Sequence, residues 1–375
     1  MTQPVYDVVI VGAGIIGAAI ALECSREHMR VAVIEPDVVG GGATAAGMGH
    51  IVVMDDSEAQ FAITHYSQRL WKAMAEELPR DAEFMPCGTV WVATDDEELH
   101  EVRRKHEYYG ARGVTTEILD ATQLRQAEPN LRPGLAGGLL VPGDSVIYSP
   151  CAARFFLQQA QSKGAELYLG VQAFELRSHD VVLSDGTTLC AAFVVNAAGT
   201  WAPELTPGIE IRKRKGHLAI TDRYPGHIRH QLVELGYLKS AHSFTAESVA
   251  FNVQPRMTGQ LLIGSSRQFG SDTNEVDGQI LRRMLQRAFE YLPNLSHMSA
   301  IRIWTGFRAA TPDKLPLIGK SPTQENVYLA TGHEGLGITT SLGTAHLLVD
   351  QLLNRRSEIP VDPYLPTRDM ETAHA

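Results

Sequence analysis

The chain has 375 residues, 44% hydrophobic and 20% charged, which is ordinary globular composition with room for two domains or one large interleaved unit. Its formal net charge is −10, and the densest basic run is only "RKRK" at Arg212–Lys215, which argues against nucleic-acid binding. Four cysteines (Cys24, Cys87, Cys151 and Cys190) are dispersed with no C-x-x-C pair. That spacing supports no disulfide framework and no zinc or iron–sulfur site, and it suits a reducing cytoplasm.

The first informative stretch is "YDVVIVGAGIIGAAIALECSREHMRVAVIEP", Tyr6–Pro36. Met1–Tyr6 carries no Lys or Arg, so it lacks the start of a signal peptide. Asp7 and Glu23 bracket an apolar run too short to span a bilayer. The pattern reads instead as a buried strand at Val8–Val11, then Gly12-Ala13-Gly14-Ile15-Ile16-Gly17, a helix to about Glu27, a second strand at Val31–Ile34, and Glu35. Strand, G-x-G-x-x-G, helix, strand and acid within about thirty residues predict a dinucleotide site. Gly12 serves the tight turn, Gly14 admits a pyrophosphate, and Gly17 lets the helix lie close to the sheet. Helix N–H groups then face the phosphates. Glu35 accepts from ribose hydroxyls and disfavours a 2′-phosphate. This motif alone leaves NAD and FAD both open.

The next segment, "GGGATAAGMGH" at Gly40–His50, is rich in small residues. A chain that must pass beside a pyrophosphate and under a flavin ring needs such a segment, whereas an NAD-only dehydrogenase does not. A helix is expected at Ala59–Leu78, and strands at Gly88–Thr94 and Gly137–Pro142. Ser149-Pro150 has the form of a helix start, with Gly164 as the stop. "FVVNAAGTWAPEL" at Phe193–Leu205 is a strand ending in small residues. "GHIRH" at Gly226–His230 puts two histidines three apart without a third ligand, so no metal site is expected. Phe251–Ser266 reads as two strands joined by a turn, and Asn326–Leu353 as strand, glycine-rich turn and long helix.

Taken together, these motifs resemble the D-amino-acid oxidase family of FAD-dependent amine oxidoreductases, which includes glycine and sarcosine oxidases. The resemblance spans nearly the whole chain and rests on Gly12–Gly17, Glu35, "ATAAGM" at Ala43–Met48, "NAAGTWA" at Asn196–Ala202, "WTGFRAATPDKLPLIG" at Trp304–Gly319 and "GHEGLGITTS" at Gly332–Ser341. The last segment further resembles bacterial D-hydroxyproline dehydrogenases and the flavoprotein β-subunits of opine and proline dehydrogenase complexes.

The implied fold is α/β. A Rossmann-like, discontinuous FAD-binding domain (1–50, 147–212 and 300–375) is interleaved with an α+β substrate domain (51–146 and 213–299) on a mixed or antiparallel sheet. The implied cofactor is FAD, bound non-covalently because no cysteine lies in the last third of the chain. Expected cofactor contacts are Gly12, Ala13, Gly14, Ile15, Ile16, Gly17, Glu35, Ala43, Thr44, Ala46, Gly47, Met48, Ala198, Gly199, Trp201, Gly306, Gly335, Leu336, Gly337, Ile338 and Thr339. The loop before the last helix would stabilise the reduced flavin through its N–H groups and the helix dipole.

The resemblance implies that Arg308 grips the substrate carboxylate, a role that suits a planar guanidinium. His333 and His50 are the other expected catalytic or substrate-facing residues, each with an alternative role in positioning its loop. Gln254 and Arg256 alternate on one strand face and are expected at the substrate. No residue presents itself as a general base, which fits hydride transfer from the α-carbon of a neutral amine to flavin N5.

The implied reaction is oxidation of a small D-amino acid or secondary amine, with a D-hydroxyproline or D-proline-like ring favoured. A glycine- or sarcosine-type oxidase using oxygen, and a flavoprotein subunit of a heteromeric dehydrogenase, stay open beside it. Partner subunits, a membrane-linked electron acceptor and a homo-oligomer are all compatible with this reading. The expected location is the cytoplasm, with loose attachment to the inner face of the membrane left open.

Overall fold

The structure, a computed structural model, describes residues 5–236 and 247–370. Two large sheets organise it. In the first, the strands Val327–Thr331, Thr188–Asn196, Val5–Val11, Val31–Glu35 and Glu166–Leu169 run parallel, in that spatial order. Leu317–Lys320 adds an antiparallel edge, and the hairpin Ala173–Leu176/Asp180–Leu183 branches from Thr188–Asn196.

A strand rich in Val and Ile suits this position because both of its faces are buried. Along Val5–Val11, Val8 and Ile10 enter one apolar core while Val9 and Val11 enter another on the opposite side. The helices Ile15–Arg26, Ser149–Ser162 and Gly337–Leu352 pack together over the first of these cores. Ser149 begins its helix rather than capping it: Tyr148 is the N-cap, because the Ser149 hydroxyl is spent on the carbonyl of Thr44.

The second sheet runs in the order Ala300–Ala310, Arg212–Arg223, Gln260–Gln268, Glu247–Pro255, Gln231–Glu234, Thr89–Ala93, Gly137–Val141 and Glu117–Asp120. Its neighbours are antiparallel except for Gln231–Glu234 beside Thr89–Ala93. The helix Gly278–Tyr291 covers one face, where Tyr291 stacks on Phe251 at 4.2 Å between ring centroids.

The strand Ala300–Ala310 belongs to this second sheet, laddered to Arg212–Arg223 from Ala310 opposite Arg212 to Ala300 opposite Thr221. A boundary at 300, as expected from sequence, separates that strand from its own hydrogen-bonding partner. The return to the first sheet comes only at Leu317.

Candidate cofactor and substrate site

A cavity of about 1080 Å³ lies between the two sheets and runs from Glu35 to Arg308. At its first end the glycine turn is held tightly. Gly12 has φ +105, and a Cβ there would stand 2.6 Å from the Ala197 carbonyl oxygen. A Cβ on Gly17 would stand 1.9 Å from the Gly12 oxygen, so any side chain there forces the helix off the turn. Glu35 accepts from the N–H groups of Ala13 at 2.8 Å and Asp37 at 3.0 Å. Thr44 Oγ1 accepts from Ile15 N–H at 3.0 Å, so the helix N-terminus is tied to a segment 29 positions away. The helix has no side-chain cap at Gly14, and its first turn carries no acidic residue. Such an N-terminus is suited to phosphate oxygens.

The small residues after Gly40 form the middle of the cavity. A Cβ on Gly306 would fall 2.2 Å from the Ala46 Cβ, and one on Gly47 would fall 2.6 Å from Ile338 Cδ1. The backbone of this wall is anchored from elsewhere: Gln254 Nε2 donates to the Met48 carbonyl at 2.6 Å, and Thr339 Oγ1 to the His50 carbonyl at 2.8 Å. A flat cavity floored by backbone, with a phosphate cradle and a ribose acceptor at one end, fits FAD.

At the far end Arg308 reaches across the neighbouring strand. A Cβ on Gly216 would lie 2.6 Å from its Nη1 and 2.8 Å from its Nη2. Arg308 Nη1 donates to the Ser266 carbonyl at 3.0 Å. Among the described residues no carboxylate forms an ion pair with it, while the nearby Glu334 pairs with Arg214 at 3.0 Å. Burial opposes ionisation of Glu334, but the charges of Arg267, Arg308 and Arg214 outweigh it and hold its carboxyl below the usual range.

His333 is buried and His50 half-buried, and both are neutral at physiological pH. Burial pushes the His50 pKa down to about 4; the Gln254 amide offsets part of that shift, and the Arg308 charge adds to it. Among the described residues, the buried His50 Nε2 has no hydrogen-bond partner. Burial pushes His333 down to about 3, and its Nε2 pairs with Thr344 Oγ1 at 3.0 Å, a bond that ties the loop to the last helix.

Of the expected cofactor residues, Gly12, Gly14, Ile15, Ile16, Glu35, Ala43, Thr44, Ala46, Gly47, Met48, Ala198, Gly199, Trp201, Gly306, Gly335, Gly337 and Ile338 line the cavity. Ala13, Gly17, Leu336 and Thr339 stand behind that lining and shape its backbone. His50, His333 and Arg308 line it as well, whereas Gln254 supports it through Met48.

Arg256 is a correction. It sits beyond the end of its strand, in the turn to Gln260, where it pairs with Glu83 at 3.0 Å and lies over the Tyr148 ring. The two-residue alternation that placed it at the substrate ends with the strand at Pro255. Sequence reading also missed Gly216, Leu218, Asn252 and Ser265, all of which line the substrate end. The only signal for them was their place in apolar strands.

Among the described residues no group of His, Cys, Asp and Glu could hold a metal ion, and no helix is long and apolar enough to cross a membrane.

Comparison with known proteins agrees with this geometry. A family model described as DAO, FAD dependent oxidoreductase, matches residues 7–351. Glycine oxidase of Geobacillus kaustophilus is 29% identical over 374 residues, 97% of either chain. The crystal structure of glycine oxidase from that organism superposes with a TM-score of 0.88, at 27% identity, over 98% of this chain and 100% of the other. Hydrogen cyanide synthase subunit HcnC of Pseudomonas aeruginosa is 27% identical, covering 97% of this chain and 96% of its own. L-proline dehydrogenase from P. horikoshii shares the fold, with a TM-score of 0.86 at 23% identity over 98% of both chains.

Proposed function

The chain belongs to the DAO family of FAD-dependent oxidoreductases, and on that premise we propose that it oxidises a small D-amino acid or secondary amine of the D-hydroxyproline or D-proline type to the imine. The observation that carries this reading is Arg308: a cavity-lining guanidinium, aimed across Gly216, that makes no ion pair among the described residues. A charged group in that setting is a receptor for a carboxylate, through two charge-assisted hydrogen bonds that fix orientation as well as position.

FAD, when bound, supplies the two-electron acceptor for the hydride that leaves the carbon bearing the amine. The chain's own residues position the substrate. Arg308 takes the carboxylate, while Met48 and Leu218 give the ring an apolar wall. His50, neutral, lines the same cavity with its Nε2 buried. An imidazole that acidic does not strip a proton from an ammonium, so the neutral amine is the species that reacts. His333, held by Thr344, positions the loop.

The first test is anaerobic. The purified chain, loaded with FAD, is mixed under argon with cis-4-hydroxy-D-proline, D-proline, sarcosine or glycine, and the visible flavin band is followed. Rapid bleaching by the ring amines is expected. Bleaching by glycine alone favours the second reading, a glycine-type oxidase, which the likeness to glycine oxidase over 97% of both chains supports. Admitting air then separates oxygen from another acceptor, and the likeness to a synthase subunit motivates a search for partner chains if oxygen fails. We assign the enzyme to the cytoplasm, a placement that suits four cysteines none of which is in a disulfide.

A further inference from the structure

Arg308 reaches the Ser266 carbonyl at a point where the second sheet is irregular. The strands Arg212–Arg223 and Gln260–Gln268 pair at Lys215 with Gln268 and again at Ala219 with Ile263. Between those pairs three residues of the first strand (216–218) face four of the second (264–267), the signature of a β-bulge. A bulge leaves backbone groups without ladder partners, and each must be satisfied in some other way. The Ser266 carbonyl accepts from Arg308 Nη1 at 3.0 Å. The His217 N–H donates to Ser266 Oγ at 2.8 Å.

The imidazole of His217 completes the repair. Its Nε2 accepts from the Asp277 N–H at 3.0 Å, so the neutral ring carries its proton on Nδ1. Nδ1 then donates to Ser266 Oγ at 3.0 Å, and the hydroxyl receives two bonds from one residue. Asp277 is itself fixed, because its side chain caps the helix Gly278–Tyr291 through the N–H groups of Gln279 and Ile280. A continuous chain therefore runs from the helix cap through the imidazole and Ser266 to the guanidinium. His217 is fully buried and does not line the cavity. It follows Gly216, and neighbouring residues of a strand point to opposite faces. The guanidinium occupies the face that Gly216 leaves clear, and the imidazole packs behind it.

We infer that His217 is a positioning residue for substrate binding, which sets the Arg308 guanidinium through Ser266. The inference rests on the reading that Arg308 holds the substrate carboxylate. Without the imidazole the Ser266 hydroxyl loses one of its two donors, and the peptide that carries the carbonyl is free to turn within the bulge. The guanidinium then loses the contact that aims it, and a carboxylate meets it in the wrong orientation. The loss falls on binding of the carboxylate rather than on removal of the hydride.

The test uses the full chain loaded with FAD and tetrahydrofuran-2-carboxylate, a ring acid that cannot be oxidised as an amine, with affinity read by calorimetry. His217→Leu should weaken the acid roughly 5- to 30-fold. His217→Asn keeps a donor at the δ position and should bind within about threefold of the wild type. His217→Gln keeps only the acceptor toward Asp277 and should resemble His217→Leu. With D-proline as the amine, His217→Leu should raise KM by the same factor and leave kcat within about twofold. Ser266→Ala removes the hydroxyl from the other side; it should match His217→Leu, and the double variant should be no weaker than either alone. Wild-type affinity in His217→Leu or Ser266→Ala, with Arg308→Met still weak, overturns the positioning role and leaves the carboxylate reading standing. Equal weakening by all three His217 variants overturns it too, since the ring would then act by packing alone. Binding that is absent in the wild type, or indifferent to Arg308→Met, overturns both. Ser266→Ala, the smaller change, carries the comparison if His217→Leu does not fold.

Discussion

Gly216 and Arg308, on paired strands of the second sheet, share one space: the guanidinium lies where a side chain at residue 216 would be, with Nη1 2.6 Å from the position of its Cβ. The arginine can cross its neighbouring strand, reach the Ser266 carbonyl and face the cavity only because residue 216 has no side chain.

Gly216→Ala should therefore act as an arginine mutation at a distance. The methyl displaces the guanidinium while leaving its charge in place. KM for the amino acid should rise about 10- to 100-fold, the scale of a lost or misaligned charge-assisted pair. Flavin content, read from the visible spectrum, should match the wild type.

Arg308→Lys and Arg308→Met separate charge from geometry. Lysine keeps the charge but not the planar fork, so kcat/KM should fall by roughly 10²-fold, and with methionine by 10³-fold or more. Steady-state kinetics over a wide substrate range checks this. Equal activity of all three forms would remove the carboxylate from Arg308.

The cofactor end gives a sharper structural test. Gly17→Ala puts a methyl 1.9 Å from the Gly12 oxygen, so the chain should purify colourless or unfold at lower temperature. Thr44→Val is milder: it removes the acceptor for Ile15 N–H and leaves a buried donor unpaired. A loss of about 1–3 kcal/mol is expected in stability, measured by denaturant titration.

The pH dependence of catalysis should carry no histidine signature. With His50 near 4 and His333 near 3, neither changes charge between pH 5 and 8. The profile of kcat/KM should rise with pH toward the substrate ammonium pKa, roughly 8–10, as the neutral amine becomes available. An inflection near 6.5 that disappears in His50→Asn would show that the histidine titrates after all.

Stability has the opposite exposure to acid. A histidine whose folded pKa lies below its unfolded value of 6.5 binds fewer protons when folded. Its contribution is complete above pH 6.5 and is lost as pH falls toward its folded value. For His333 the loss is about 1.4 kcal/mol per pH unit below about pH 6. The stability difference between the wild type and His333→Asn should shrink by that slope between pH 6 and pH 5. A constant difference would mean the ring is not buried neutral.

Sequence by itself determined the dinucleotide end of this protein. The turn from Gly12 to Gly17 and the acid at Glu35 lie within one strand–helix–strand unit, where the chain's short range dictates geometry: a Gly17 that touches the Gly12 oxygen is a local relationship. The family resemblance pointed to Arg308 and to the small residues from Ala43 to Met48, and Arg308, Ala43, Thr44, Ala46, Gly47 and Met48 line the cavity.

Tertiary structure decided the substrate end, where every relationship is between distant segments. The clearance at Gly216 exists only because its strand pairs with one ninety positions later, and strand pairing has no local signal. Arg256 shows the same limit from the other side, since two-residue alternation holds only while the strand continues, and the strand stops at Pro255. His217 reads in sequence as one polar residue between a basic run and an apolar one. What marks it is a ring held between the Asp277 N–H and the Ser266 hydroxyl, 60 and 49 positions away, and that arrangement exists only once the strands and the helix cap have come together.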